Sequence, residues 1–197
     1  MKLTILMGSP RKTGNTAALL APFREECERL GGEIEWISLY DKKIAPCLGC
    51  MACQDCLDGL DCVQHDDFAQ VFRAMADSDV LVLATPIYAW YCTAPMKALL
   101  DRTIYAGNKN YGREKGPALL AGKGVASITT CGYRPEQGAD LWEAGLKRCC
   151  KHGGMRYLGM LCRRDLGRQV PFLDEEKAQA ARDFARTIYY SVTTEEL

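Results

Sequence analysis

The feature that most restricts this chain is its opening turn. Lys2–Met7 (KLTILM) is a short, largely apolar run that stops at Gly8-Ser9-Pro10. Such a run reads as a buried strand. Asn15–Leu30 follows, with Leu20, Phe23, Cys27 and Leu30 at helical spacing, and Gly31-Gly32 ends it as expected past a helix C-terminus. A buried strand that runs through one polar loop into a helix is the first part of a βαβ unit. Parallel strands can be joined only by crossovers of this kind.

The rest of the chain repeats the alternation. Glu33–Leu39 (EIEWISL) alternates like an outer strand. Asp66 and Asp67 start a helix with Phe68, Val71, Phe72 and Met75 as its apolar stripe. Asp79–Thr85 (DVLVLAT) is continuously apolar, the mark of a strand covered on both faces. Pro86–Thr93 is a loop, and Ala94–Ile104 a helix with Pro95 in its first turn. Tyr105–Gly122 has no period. Lys123–Thr130 is a strand, and Gln137–His152 a helix with Trp142, Leu146 and Cys149 inward. Met155–Leu161 is the last strand and Asp174–Ser191 a closing helix. The pattern predicts an α/β fold, a parallel sheet between helix layers with right-handed crossovers. With five strands the expected order is 2-1-3-4-5, the flavodoxin-like three-layer sandwich. Residues 1–197 read as one domain of ordinary size with a cysteine-rich insertion at 46–62.

Charge excludes some partners. Lys and Arg number 25, Asp and Glu 25, so nothing points to nucleic acid or an anionic membrane surface. No apolar run approaches the roughly 20 residues needed to span a bilayer. The apolar run Leu3–Met7 is too short for a secretory signal, so a cytoplasmic location is expected. Cysteine is abundant, with five of the eleven residues between 47 and 62. In a reducing compartment such a cluster points to metal or redox chemistry rather than disulfides. Most of the other six read as small buried apolar residues.

In sheets of this order, ligands sit beyond the carboxyl ends of the strands, near the switch in strand order. That rule nominates the loops at 8–16, 85–92 and 130–135. In the first, Gly8 and Gly14 free the backbone, while Ser9, Thr13, Asn15 and Thr16 offer polar groups. Arg11 and Lys12 add charge, and a helix N-terminus follows. Together they make a phosphate cradle. Its spacing is not that of a P-loop, it lacks G-x-G-x-x-G, and it has no phosphatase cysteine. The second loop carries Pro86, Ile87, Tyr88, Trp90 and Tyr91, walls suited to a flat ring. In the third, Gly132 permits close backbone approach.

Three motifs in order carry a resemblance: MKLTILMGSPRKTGNT, PCLGCMACQDCLDGLDCVQHDDF and ATPIYAWYCTAPMKALLDR. Together they resemble the NAD(P)H-dependent FMN reductases, and in particular the iron–sulfur flavoproteins. The likeness covers residues 1 to about 105, the remainder matching by fold only. It implies FMN, with its phosphate held by Ser9, Arg11, Lys12, Thr13, Gly14, Asn15 and Thr16. It places the flavin ring against Pro86, Ile87, Tyr88 and Trp90, with Thr130, Cys131 and Gly132 closing over it. Cys131 also reads as a plain small residue. No side chain stands out as a catalytic acid or base.

The resemblance further implies a [4Fe–4S] cluster on a compact run of three cysteines and a fourth beyond. Two registers fit: Cys47, Cys50, Cys53 and Cys62, or Cys50, Cys53, Cys56 and Cys62. The first keeps the flanking residues and Asp66-Asp67 in step with the family and is preferred. A Cys₄ zinc site, free thiols or a redox disulfide stay open. Asp101 and Arg102 read as a helix-terminal ion pair or an interface contact. His65 flanks a helix start, and His152 ends a helix. Lys109, Arg113 and Lys115, like Arg163, Arg164 and Arg168, read as solvated surface; a neighbouring subunit or NAD(P)H phosphates are the alternative. The expected activity is FMN-dependent electron transfer from NAD(P)H or a reduced carrier protein, in a homodimer or homotetramer. The rivals are a flavodoxin-type carrier without a nicotinamide substrate and a metal-binding regulatory module.

Overall fold

The computed structural model describes residues 1–194. Five strands form one parallel sheet: β1 (Lys2–Met7), β2 (Glu33–Ser38), β3 (Val80–Pro86), β4 (Gly124–Cys131) and β5 (Arg156–Arg164). Their order is β2-β1-β3-β4-β5, the flavodoxin-like arrangement expected from the alternation. The helices are α1 (Asn15–Arg29), α2 (Phe68–Ala76), α3 (Ala94–Gly107), α4 (Pro135–Gly138), α5 (Asp140–His152) and α6 (Glu175–Thr193). The sheet and its helices run from residue 2 to residue 193. The last three residues of the expected 1–197 domain lie outside the described residues. Among those described, no helix is long and apolar enough to cross a membrane.

The sheet divides the core in two. On β3, Leu81 and Leu83 point to one face, where they pack with Val71 of α2, Leu99 of α3 and Trp142 of α5. Val80, Val82 and Ala84 point to the other, where they meet Phe23 of α1 and Ala185 of α6. Every residue of β3 and β4 is buried, which is why both runs are continuously apolar rather than alternating. β2 lies at the sheet edge and keeps its outer residues half open.

Three expectations need correction. Gln137–His152 is not one helix: α4 ends at Gly138 and α5 begins at Asp140. The break has a packing cause. Gly138 lies against the end of β4, where a Cβ would stand 3.1 Å from Cys131 Sγ, and Ala139 is fully buried beside Cys131 and Cys162. On α5 the third inward residue is Cys150, fully buried, while Cys149 is half-buried. α3 runs past Ile104 to Gly107, which sits under Phe72 at a distance that leaves little room for a side chain.

One buried carboxylate joins α1 to α6. Glu26 is 4 % exposed and takes Arg29 Nη2 and Arg186 Nε on Oε1, each at 2.6 Å. The Arg29 hydrogen bond, aided by Arg186, holds its carboxyl at about 2 against an ordinary 4.5. A group depressed in the folded state contributes stability above its unfolded pKa and loses it as pH falls toward the folded value. The urea midpoint should therefore drop between about pH 5 and about pH 2. Glu26→Gln should be less stable at neutral pH and should flatten that acid limb. An unchanged acid limb in the variant would exclude Glu26 as its source.

Candidate functional site

Parallel strands end at one edge of the sheet, and there the three nominated loops are bonded to one another. Thr93 Oγ1 donates to Gly8 O at 2.6 Å and ties the loop after β3 to the loop after β1. Thr16 Oγ1 and Thr130 Oγ1 lie 3.0 Å apart and join the start of α1 to the end of β4. The Ile87 amide donates to Thr130 O at 2.8 Å and closes the third side.

The first loop is braced by its own hydrogen bonds. Ser9 Oγ accepts from the Arg11 amide, and Gly14 N donates to Arg11 O at 3.1 Å. Gly14 caps α1, but no side chain caps that terminus and its first turn holds no acid. The first N–H groups of a helix have no partner within it, so this end is suited to an anion. Arg11 folds back over it: a Cβ on Gly14 would lie 2.9 Å from Arg11 Cβ and 3.1 Å from Nε. Lys12 turns the other way and pairs with Asp41 at 2.8 Å, on the β2 side of the loop. Thr13 is exposed, Asn15 half-buried and Thr16 buried.

The second loop is a tight hairpin. Tyr88 and Tyr91 exchange both backbone hydrogen bonds, at 2.9 and 3.0 Å. Between them Ala89 (φ 47°) and Trp90 (φ 61°) both lie in the left-handed region. Glycine or asparagine normally fills such a turn, and side chains there cost roughly 1–2 kcal/mol each. Trp90 is half exposed and stacks on Tyr133 with centroids 5.8 Å apart and planes 18° off parallel. Below these rings lies a hollow lined by Ile87, Cys131, Gly132 and Gly138. Pro86 is buried at the end of β3. Tyr91 instead points inward and meets Trp142 edge-on. Cys131 Sγ donates to Tyr133 O and lies 3.5 Å from Cys162 Sγ, and that thiol contact with burial pushes Cys131 upward.

The cysteine segment lies between β2 and α2, with almost no regular structure. Cys47, Cys50, Cys53 and Cys62 line one hollow, together with Arg102 and Tyr105 of α3. Cys56 does not line it; its thiol faces Asp58 Oδ1 at 3.3 Å. Three of the four sulfurs already face N–H donors: Cys47 receives the Gly49 amide (3.4 Å), Cys53 the Gln54 amide (3.7 Å) and Cys62 Arg102 Nη2 (3.2 Å). Among the described residues no three His, Cys, Asp or Glu side chains converge on a single metal-ion position. A mononuclear zinc requires four sulfurs about 2.3 Å from one point.

A model of the family described as NADPH-dependent FMN reductase matches residues 1–144. This chain belongs to the NADPH-dependent FMN reductase family. An iron-sulfur flavoprotein of Archaeoglobus fulgidus is 34 % identical over 75 % of this chain and 63 % of its own length. A second protein of that name and organism is 40 % identical over 68 % of this chain and 61 % of its own. The chain thus spans a little over three fifths of these curated relatives. The solved structure of RosB with a bound 8-demethyl-8-formylriboflavin-5'-phosphate intermediate superposes with a TM-score of 0.73 at 17 % identity. It covers all of this chain and 81 % of that one, a likeness of fold.

This member of the FMN reductase family departs from two expectations drawn from its charges. Asp101 pairs with Lys97, one turn back, at 2.6 Å. Arg102 turns inward, 1 % exposed, to Asp66 at 2.6 Å and over the Phe68 ring at 4.2 Å. Lys109 is not solvated: it has no exposed surface, and Nζ donates to Cys53 O at 2.6 Å. Arg113 and Lys115 are exposed as expected. Arg164 is exposed but reaches the flank of the third loop, donating to Gly132 O at 3.0 Å. His65 is exposed, and His152 stacks on Tyr111 with a 2.8 Å bond to its hydroxyl. Gln54, Thr93 and Lys109 had no signal in the sequence, because a polar residue in a loop reads as solvated until its burial is known.

Burial alone would raise the Asp66 carboxyl; hydrogen bonds from Arg102, Ala45 and Phe68 outweigh it and hold it below the usual range. Asp66→Asn leaves the Arg102 charge buried and unmatched. It should cost about 3–5 kcal/mol in urea unfolding. The double variant Asp66→Leu/Arg102→Met should recover part of that loss. An Asp66→Asn protein as stable as wild type would show that the pair is not what holds the segment.

Proposed function

We propose that this protein is an FMN-dependent oxidoreductase that takes electrons from NAD(P)H, or from a reduced carrier protein, and passes them to an acceptor with the help of a [4Fe–4S] cluster. One observation carries the flavin reading: an uncapped helix N-terminus stands at the switch in strand order, tied by Thr16 and Thr130 to the loop that bears the aromatic hollow. A ligand with a phosphate at one end and a flat ring at the other fits both features. Ser9, Arg11, Gly14, Asn15 and Thr16 would hold the phosphate. Ile87, Trp90, Cys131 and Gly132 would take the ring, with Pro86, Tyr88 and Thr130 shaping its edges. Lys12 and Thr13 would contribute charge and polarity from the rim.

FMN, when bound, supplies two-electron exchange with a nicotinamide, and a cluster supplies one-electron exchange. The chain's own part is to bind, orient and exclude water. Trp90 and Tyr133, stacked and each about half exposed, would form an apolar cover. Cys131, whose thiol is pushed up by its contact with Cys162 and by burial, would line the ring as a small side chain. Cys47, Cys50, Cys53 and Cys62 are proposed as the cluster ligands, and Cys56 as a bystander. The donor set supports this: four sulfurs in one hollow, three of them facing N–H groups. We also propose residues 1–197 as one domain, a cytoplasmic location and a homo-oligomer.

The purified protein should show a flavin spectrum that bleaches under anaerobic NADPH. A colourless protein that gains no flavin on incubation with FMN would end the flavin reading. A spectrum that bleaches only with a reduced carrier protein would replace the nicotinamide donor. Gly14→Val, whose side chain would displace Arg11, should weaken FMN binding at least about tenfold, ~1.4 kcal/mol, in a flavin-fluorescence titration. Iron and acid-labile sulfide, assayed after anaerobic purification, should match one cluster per chain. Cys56→Ser should keep that content and Cys47→Ser should lose it; the opposite result would select the other register.

A further inference from the structure

Lys109 raises a question of charge. It is wholly buried, and its ammonium has only carbonyl partners: Cys53 O at 2.6 Å and Leu60 O at 3.5 Å. Among the described residues no carboxylate pairs with it. Isolated buried charge is costly, and two carbonyl contacts replace only part of its hydration. Its placement is not slack. The Lys109 amide and carbonyl are bonded to Pro117 and Gly116, and a Cβ on Gly116 would come 2.6 Å from Lys109 Cβ. The other buried cation nearby, Arg102, already has Asp66 as its counter-charge. Behind the Cys53 peptide, which lines the cysteine hollow, there is therefore a buried positive charge with no carboxylate partner among the described residues. Burial pushes the Cys53 thiol up, while the Gln54 amide and Lys109 act against that rise.

We infer that Lys109 is the counter-cation of the group held by Cys47, Cys50, Cys53 and Cys62, placed to favour its reduced form. This rests on the cluster reading above. A thiolate-bound iron–sulfur cluster is anionic and gains one negative charge on reduction. Net charge near the cluster, hydrogen bonds to its sulfurs and solvent exposure set its potential. A fixed cation in a dry wall is screened little, so it stabilises the more negative state and raises the potential. Arg102, bonded to Cys62 Sγ, contributes a hydrogen bond but little net charge. Lys109 contributes charge without touching a sulfur, and so acts as a positioning residue through the Cys53 peptide.

The test is a potentiometric titration of the cluster signal, with dithionite as electron donor, in anaerobically prepared wild type, Lys109→Met and Lys109→Arg. FMN content in each protein reports folding. In Lys109→Met the midpoint should become more negative by at least the 59 mV that corresponds to a tenfold change in a one-electron couple. Lys109→Arg should stay near wild type. Loss of the cluster in Lys109→Met but not in Lys109→Arg, with FMN retained in both, would equally support a requirement for charge. If Lys109→Met does not fold, Lys109→Gln, which keeps a donor for Cys53 O, is read in the same way. A fully loaded Lys109→Met with the wild-type midpoint overturns the inference, and so does loss of the cluster in both variants with FMN retained. A wild type free of iron and sulfide sinks the cluster reading itself, and is seen before any variant is made.

Discussion

A parallel sheet must send each connection back across its face, so all its strands end at the same edge. Here that requirement gathers three loops that are far apart in sequence. Thr16 and Thr130 are separated by 114 residues, and Thr93 and Gly8 by 85, yet each pair is hydrogen-bonded. These bonds rest on the central strands, which are buried on both faces and cannot slide: a shift of one residue would send Leu81 and Leu83 to the wrong side. Rigidity in β1, β3 and β4 is thus inherited by loops that have little structure of their own. It also sustains the strained pair Ala89-Trp90, a conformation that persists only where the surroundings over-determine it.

The cysteine segment is held by a different means. It has a single short 3₁₀ turn at Ala52–Gln54 and no strand. Its backbone groups must still be satisfied where they are buried. Three long polar side chains do this. Gln54 donates to Tyr105 O and to Asn108 O, and accepts from the Tyr111 amide. Arg102 reaches Ala45 O and Gln64 O as well as Asp66. Lys109 reaches Cys53 O. Polar groups in a dry setting are costly when unmatched and stiff when matched. The segment therefore owes its shape to α3 and the stretch after it rather than to local propensity.

How much of this was legible follows from the physics of each feature. The strands and the 8–16 loop were readable because they rest on periodicity and on glycine, properties local to the sequence. The hairpin at 88–91 was not, since Ala89 and Trp90 are not the residues such a turn favours. Spacing left two cysteine registers open; only the direction of the Cys56 side chain, set by folding, separates it from the hollow. Lys109 was misread because a lysine in a polar stretch with no period looks solvated. The helix break at Ala139 was missed for a related reason: it is set by the packing of Gly138 and Ala139 against Cys131 and Cys162, neighbours that only the fold brings there.

The two sites share one element. α3 begins beside Thr93, whose hydroxyl holds Gly8 and the 8–16 loop, and it carries Arg102 nine residues later, bonded to Cys62. At 1.5 Å per residue those two anchor points lie about 14 Å apart along the helix axis. The helix is packed through Met96 and Leu99, both fully buried, so it cannot tilt at one end without moving the other. A flavin site and a cysteine hollow built on separate loops would drift independently. Built on the two ends of one buried helix, they keep a fixed separation, which the proposed transfer of electrons between two groups would require of its scaffold.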